Sequence, residues 1–258
     1  MTTLPSITTK QQEILKLIYR YRFLNRTQIQ TLLKHKDKRR IISWLKDLRE
    51  KQYVDWRYDA TNFIAKSQPA IYYLSINGIR YLRETGEYSS EELRKRYKEP
   101  GRTQVFIDRC LLIADCCIVL QTKSTDELDY SYVLPADYAD PDSPQHFLNE
   151  LKPHLFFAKR HNGEAVNYAL ENFELTLPRY QLRQRIKDYV EYIDIWDEEN
   201  GSAPIALFIC ATTADLLYVK RRAKKQIEES GNDDIVIRAA TFEKVKATGV
   251  ASAIWEDT

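Results

Sequence analysis

The 258-residue chain is long enough for two domains or one large one, and its 43% apolar content is adequate for a packed core. No apolar run approaches the ~18–20 residues that span a bilayer, Met1-Thr2-Thr3-Leu4-Pro5 lacks a basic and apolar leader, and Cys110, Cys116, Cys117 and Cys210 form no CxxC pair. The expectation is a cytoplasmic protein without membrane spans or a disulfide framework. Net charge is +2, but residues 1–100 hold 21 Lys and Arg against 11 Asp and Glu, while residues 101–258 hold 18 against 26, as in a polyanion-binding module joined to something else.

In chain order, Gln11 to Tyr21 predicts a first helix, with Ile14, Leu17, Ile18 and Tyr21 at helical spacing and Thr8 or Thr9 as cap. Arg22-Phe23-Leu24 reads as a turn. Asn25 or Arg26 starts a second helix, Thr27 to Leu33, that turns Ile29, Leu32 and Leu33 inward, and Lys34-His35-Lys36 reads as a second turn. Asp37 to Lys51 predicts a third helix. Lys38, Arg39 and Arg40 lead it, and Ile41, Trp44, Leu45 and Leu48 form an apolar face. Gln52 to Tyr58 and Ala70 to Leu74 read as strands around a loop, Asp59 to Pro69, and Ser75 caps a further helix from Ile76. Three helices followed by a hairpin are the layout of a winged helix-turn-helix, assigned to residues 1–88.

Such a domain presents the front of its third helix to a DNA groove. The candidate DNA-binding residues are Lys34, Lys36, Lys38, Arg39, Arg40, Ser43 and Lys46, with Arg57 and Lys66 around the wing reaching adjacent phosphates. Arg49 adds positive charge nearby. Residues 89–102, highly charged and containing Pro100-Gly101, read as a helical or irregular linker.

The second part, residues 103–258, opens with a buried helix over Val105–Leu120, where Asp108 and Asp115 form a polar stripe on one face. Strands are expected at Tyr130–Leu134, Leu151–Ala158, Glu164–Phe173, Ile205–Cys210 and Ile235–Ile237, with a turn at Asn162-Gly163. Helices are expected at Pro178–Trp196 and Leu216–Glu229. The latter carries Lys220, Arg221, Arg222, Lys224 and Lys225, read as a solvated face, with a second phosphate-contacting surface as the alternative. Interleaved strands and helices imply an α/β domain with a mixed sheet. His35, His146, His154 and His161 share no metal-ligand spacing with the cysteines, and neither a phosphate-binding Gly-rich loop nor a GxSxG elbow occurs.

Four segments together carry a resemblance. They are Tyr72-Tyr73-Leu74 leading to Gly78-Ile79-Arg80-Tyr81-Leu82, then Leu151-Lys152-Pro153-His154, then Leu170 to Pro178, and Lys187-Asp188-Tyr189. Through them the chain resembles the replication-relaxation family of plasmid and mobile-element proteins. The resemblance implies an α+β protein, a winged helix-turn-helix followed by a restriction-endonuclease-like domain similar to the PD-(D/E)XK nucleases, with a central mixed sheet.

Thr176, Pro178, Lys187 and Tyr189 match the family pattern, but His154 and Phe173 stand where it has aspartates. Mg²⁺ prefers several hard oxygen ligands, so the domain is expected to be inactive and to have no cofactor. The residual catalytic candidates are Glu171, Glu174, Lys187 and Glu150, with Lys152 and Asp142 in a rearranged site. The expected partner is double-stranded DNA. The second domain is expected to mediate homodimerisation or recruit a replication, transfer or transcription protein. A metal-dependent endonuclease and a winged-helix scaffold that binds only protein are the alternatives.

Overall fold

The computed structural model describes residues 4–61 and 63–258. The chain divides into two compact units, one of residues up to 118 with 139–143, the other of residues 119–138 and 144–258. Among the described residues no helix is long and apolar enough to cross a membrane.

The first unit starts with three capped helices. α1 (Thr9–Tyr21) begins at a reciprocal box: the Thr8 side chain accepts from the Gln11 N–H, and the Gln11 side chain accepts from the Thr8 N–H. α2 (Arg26–Leu32) repeats this with Asn25 and Gln28. α3 (Lys38–Glu50) is capped by Asp37, whose carboxylate accepts from the Arg39 and Arg40 N–H groups. Ile14, Leu15, Ile18, Ile29, Ile41, Leu45 and Leu48 are fully buried between the helices. Trp44 departs from the expected apolar face. It is only half-buried, edge-on to His35 with ring centroids 5.0 Å apart, so the inner face of α3 is the narrower row Ile41, Leu45, Leu48.

Leu24–Asn25, read from sequence as part of a turn and helix start, forms a short strand, β1. It joins β2 (Val54–Arg57) and β3 (Ile71–Leu74) in an antiparallel sheet of order β1-β3-β2. α4 (Phe63–Ser67) lies where the sequence suggested only loop. α5 (Ile76–Thr85) follows, with Gly78 against the turn before β2. A Cβ there would collide with the Tyr53 carbonyl oxygen, so the close approach of helix and turn requires glycine.

The expected linker is instead packed structure. It folds as α6 (Ser90–Arg96) and a 3₁₀ turn, Glu99–Gly101, with Leu93, Arg96 and Glu99 buried. Glu99 Oε1 lies 2.7 Å from Arg22 Nη2 and 4.0 Å from Arg96 Nη1, and Glu99 Oε2 lies 3.4 Å from Arg102 Nε. Arg96 also donates to the Tyr19 carbonyl at 3.1 Å. Burial, then the neighbouring Arg22 charge, pushes the Arg96 guanidinium below its ordinary value. The charge density that suggested a linker therefore includes an ion cluster inside the unit.

α7 (Gln104–Lys123) contains the boundary between the units. Its aspartates are structural: Asp108 accepts from Gln104, and Asp115 accepts from Gln28 Nε2 at 2.7 Å. Phe23, Tyr73 and Ile107 form a small core on this side of the sheet. Cys116 and Cys117 are buried, and burial pushes the Cys116 thiol up to about 12.

The second unit is built on a six-stranded mixed sheet. Its strands and helices, in chain order, are β4 (Leu128–Val133), the single turn α8 (Pro135–Tyr138), β5 (Leu155–His161), β6 (Glu164–Phe173), α9 (Arg179–Asp194), β7 (Ile205–Cys210), α10 (Thr213–Ser230), β8 (Ile237–Thr241), α11 (Phe242–Thr248) and β9 (Glu256–Asp257). The spatial order is β4-β5-β6-β7-β8-β9. β4, β5 and β6 pair antiparallel, β6, β7 and β8 parallel, and β9 closes the edge antiparallel. Asn162 and Gly163 turn the β5–β6 hairpin with φ of 53° and 85°, the paired positive values that match the strand twist.

Strand alternation sends Phe156, Ala169, Phe173, Ala206 and Phe208 to one face, where they pack in one core with Leu182, Ile186 and Tyr189 of α9 and Val219 and Ala223 of α10. Cys210 ends β7 in this core, its thiol pushed up to about 12 by burial. α11 and β9 went unread in the sequence. Of the basic run on α10, Lys220 pairs with Glu256 and Lys225 with Glu229.

Candidate nucleic-acid interface and the Glu171 cluster

The structure gathers Lys38, Arg39 and Arg40 in the first turn of α3, all exposed, with Lys34 and Lys36 exposed in the turn before it. Among the described residues none of these five side chains has an ion-pair partner. The first turn of α3 holds no acidic residue, so three cations sit at the positive end of the helix dipole, where they oppose it. Ser43 is exposed further along the helix, and exposed Lys46 lies 3.8 Å from Glu50. Lys66 is exposed on α4, and its carbonyl accepts from the Tyr58 hydroxyl. Arg57 is engaged differently from the expectation: its Nη2 donates to the Pro100 and Arg102 carbonyls at 2.7 and 2.8 Å. That ties β2 to the segment after α6 and takes the guanidinium away from phosphate duty.

Sequence reading missed an aromatic group beside these cations. The Arg49 guanidinium lies over the Trp56 ring at 3.7 Å, and Trp56 is followed by Tyr58 at 5.5 Å, both partly exposed. The signal was present as a two-residue alternation in Trp56-Arg57-Tyr58, which puts both rings on one side of the strand.

In the second unit Glu171 is the centre of a compact cluster. It sits on β6 facing α9, with a nearly buried side chain. Arg185 Nη2 donates to its Oε2 at 2.9 Å, and the Tyr189 hydroxyl donates to the same oxygen at 3.0 Å. The other oxygen faces His154 Nε2 at 3.4 Å. His154 Nδ1 accepts the Asn172 N–H at 3.0 Å, so the ring proton belongs on Nε2, directed at Glu171. Arg185 also donates to the Lys152 carbonyl. Burial, reinforced by the Glu171 charge, raises the Tyr189 phenol well above its ordinary value. Burial alone would depress Arg185, but Glu171, Tyr189 and Asp188 together outweigh it and leave the guanidinium raised.

The other candidates are not brought to this cluster. Lys187 is exposed and pairs with Glu191 at 3.2 Å. Glu150 and Lys152 are exposed, Glu174 is half-buried beyond the end of β6, and Phe173 packs on Phe208 in the core. Asp142 belongs to the first unit. A hard divalent cation needs converging oxygen ligands, whereas Glu171 is met by a guanidinium, a phenol O–H and an imidazole N–H. These residues do not fit Mg²⁺, and among the described residues no group of three or more His, Cys, Asp or Glu side chains is placed to hold a metal.

The chain matches the replication-relaxation family over residues 15–205 and belongs to it. No curated protein matches. Among solved structures the chain is similar to the restriction endonuclease FokI bound to DNA, with 13% identity, 93% of this chain and 44% of that one covered, and a TM-score of 0.34. It is also similar to FokI in a second structure, with 13% identity, 96% and 46% covered, and a TM-score of 0.35. The chain spans about half the length of these structures.

Proposed function

We propose, from membership of the replication-relaxation family and the unpaired cations leading α3, that this is a DNA-binding protein of a mobile element, working in the cytoplasm. The first unit acts as a winged helix-turn-helix that grips duplex DNA through Lys34, Lys36, Lys38, Arg39 and Arg40, with Ser43, Lys46 and Lys66 alongside. The second unit serves homodimerisation or recruits a replication, transfer or transcription partner, and the Glu171 cluster acts there as a structural tie between β6 and α9. The observation that carries the reading is the first turn of α3. Three cations kept against the helix dipole without a carboxylate partner cost stability, and a polyanion compensates them.

Fluorescence anisotropy of the full chain with labelled duplex, repeated across salt concentrations, tests it. Several phosphate contacts give a log K against log [salt] slope of about −0.9 for each. Absence of duplex binding even at low salt refutes the reading and turns the surface into a protein-docking face.

A further inference from the structure

The sheet of the second unit has a second face, opposite α9 and α10, and part of it opens into a cavity of about 370 Å³. Tyr130, Phe157, Tyr168 and Leu207 line it, together with Lys159 and Arg238. Phe157 and Tyr168 are direct cross-strand partners whose rings lie 4.8 Å apart at 14°, nearly parallel. Tyr130 continues the row, 6.5 Å from Phe157. Cross-strand aromatic pairing by itself stabilises a sheet. Here, however, Phe157 is buried while Tyr130 and Tyr168 stay partly exposed at the cavity.

The rim is held in place without a ligand. Gly249, at φ 88°, leaves α11 so close to Val119 that a Cβ would stand 2.9 Å from it. Ser252 Oγ donates to the Thr248 carbonyl at 2.6 Å, and Trp255 Nε1 donates to the Val250 carbonyl at 2.9 Å. β9 then pairs with β8, and Arg238 meets Asp257 at 2.7 Å. Between these anchors the rim carries Ala251, Ser252 and Ala253, small side chains that leave the mouth open. A preformed cavity of this size, apolar on its floor with a few polar groups, is the usual form of a small-ligand site.

The charges select the ligand. Arg238 is neutralised by Asp257, whereas Lys159, half-buried at the cavity, has no ion-pair partner among the described residues. Parallel aromatic rings offer a place for another flat ring, and a lone cation beside them offers a place for an anion. We propose that this cavity binds a nucleotide of single-stranded DNA, its base stacked against Tyr168 and its phosphate held by Lys159. The inference rests on the second unit alone and goes beyond the duplex contact assigned to α3.

The test uses the full chain carrying Lys38→Glu, Arg39→Glu and Arg40→Glu, so that the α3 surface is silent, with a labelled oligothymidylate as probe. This variant is expected to bind the oligonucleotide and to show quenched tryptophan emission from Trp255 at the rim. Adding Tyr168→Ala should weaken binding at least about tenfold, the scale of one base–aromatic stack, and Tyr168→Trp should restore it. Lys159→Glu, a change at the cavity margin that spares the aromatic floor, should weaken binding and flatten its salt dependence. Failure of the triple variant to bind the oligonucleotide at low salt, or unchanged affinity in both Tyr168→Ala and Lys159→Glu, overturns the proposal. Wild-type duplex binding, measured in parallel, separates this failure from failure of the α3 reading: loss of one leaves the other standing.

Discussion

Reversing Lys38, Arg39 and Arg40 to glutamate should abolish duplex binding and leave the protein slightly more stable. Binding and stability move in opposite directions because of where these residues sit. Their side chains are exposed, and their only local ties are main-chain N–H groups of Arg39 and Arg40 bonded to Asp37, which survive the substitution. At the N-terminus of α3 a carboxylate gains what a cation loses, about 0.3–1 kcal/mol per exposed charge. Repulsion from Asp37 offsets part of that, so the expected net gain is about 1 kcal/mol, a rise in melting temperature of about 4 °C for a domain this size. Three lost phosphate contacts should flatten the salt slope by about 3, with added repulsion removing the remaining affinity at moderate salt. Calorimetry and anisotropy on the same preparation measure both. Duplex affinity equal to wild type refutes the interface, and a fall in melting temperature refutes the placement of these side chains outside the core.

Glu99→Gln should destabilise the first unit by about 3–5 kcal/mol, toward the lower end because Arg22 and Arg102 stay partly solvated; urea unfolding measures it, and a loss under 1 kcal/mol would mean the cluster is looser than drawn. Gly78→Ala separates two opposing effects. Helix propensity favours alanine by about 1 kcal/mol, whereas collision with the Tyr53 carbonyl should make the variant less stable by about 1–3 kcal/mol, and a stabilised protein would disprove the close approach. Burial, then the charge of a nearby carboxylate, pushes Tyr73 (beside Asp55) and Tyr192 (beside Glu150) up to about 12. Above the unfolded value near ~10 the unfolded chain releases these protons first, so stability is full below that pH and declines as pH rises toward 12. Tyr192→Phe should flatten that decline in urea melts, and an unchanged slope would count against the burial of this phenol.

Much of the architecture is legible in local chemistry. Asp37 before a cationic turn and apolar residues at 41, 45 and 48 specify α3. The Asn162-Gly163 pair specifies its hairpin, and the unbroken run Ile205–Cys210 specifies a strand covered on both faces. Charge is where the sequence misleads. Glu92, Arg96 and Glu99 have the composition of a charged linker, and only tertiary packing brings Arg22 to the Glu99 carboxylate, which Arg102 also meets. Lys187 matched the family pattern, yet on α9 the inward positions are Arg185 and Tyr189, four residues apart on one face, and Lys187 between them turns outward. Trp44 was assigned to the core on spacing alone, but its ring falls at the margin of a row already filled by Ile41, Leu45 and Leu48.

The buried cysteines give each half of the molecule its own clock. Cys116 and Cys117 lie in the first unit and Cys210 in the second, and buried thiols react with alkylating reagents only after the chain around them opens. Timed alkylation followed by peptide mass spectrometry therefore reports the opening rates of the two units separately, in one sample, with no engineered label. Added DNA or a single-stranded probe would slow the clock of whichever unit it binds.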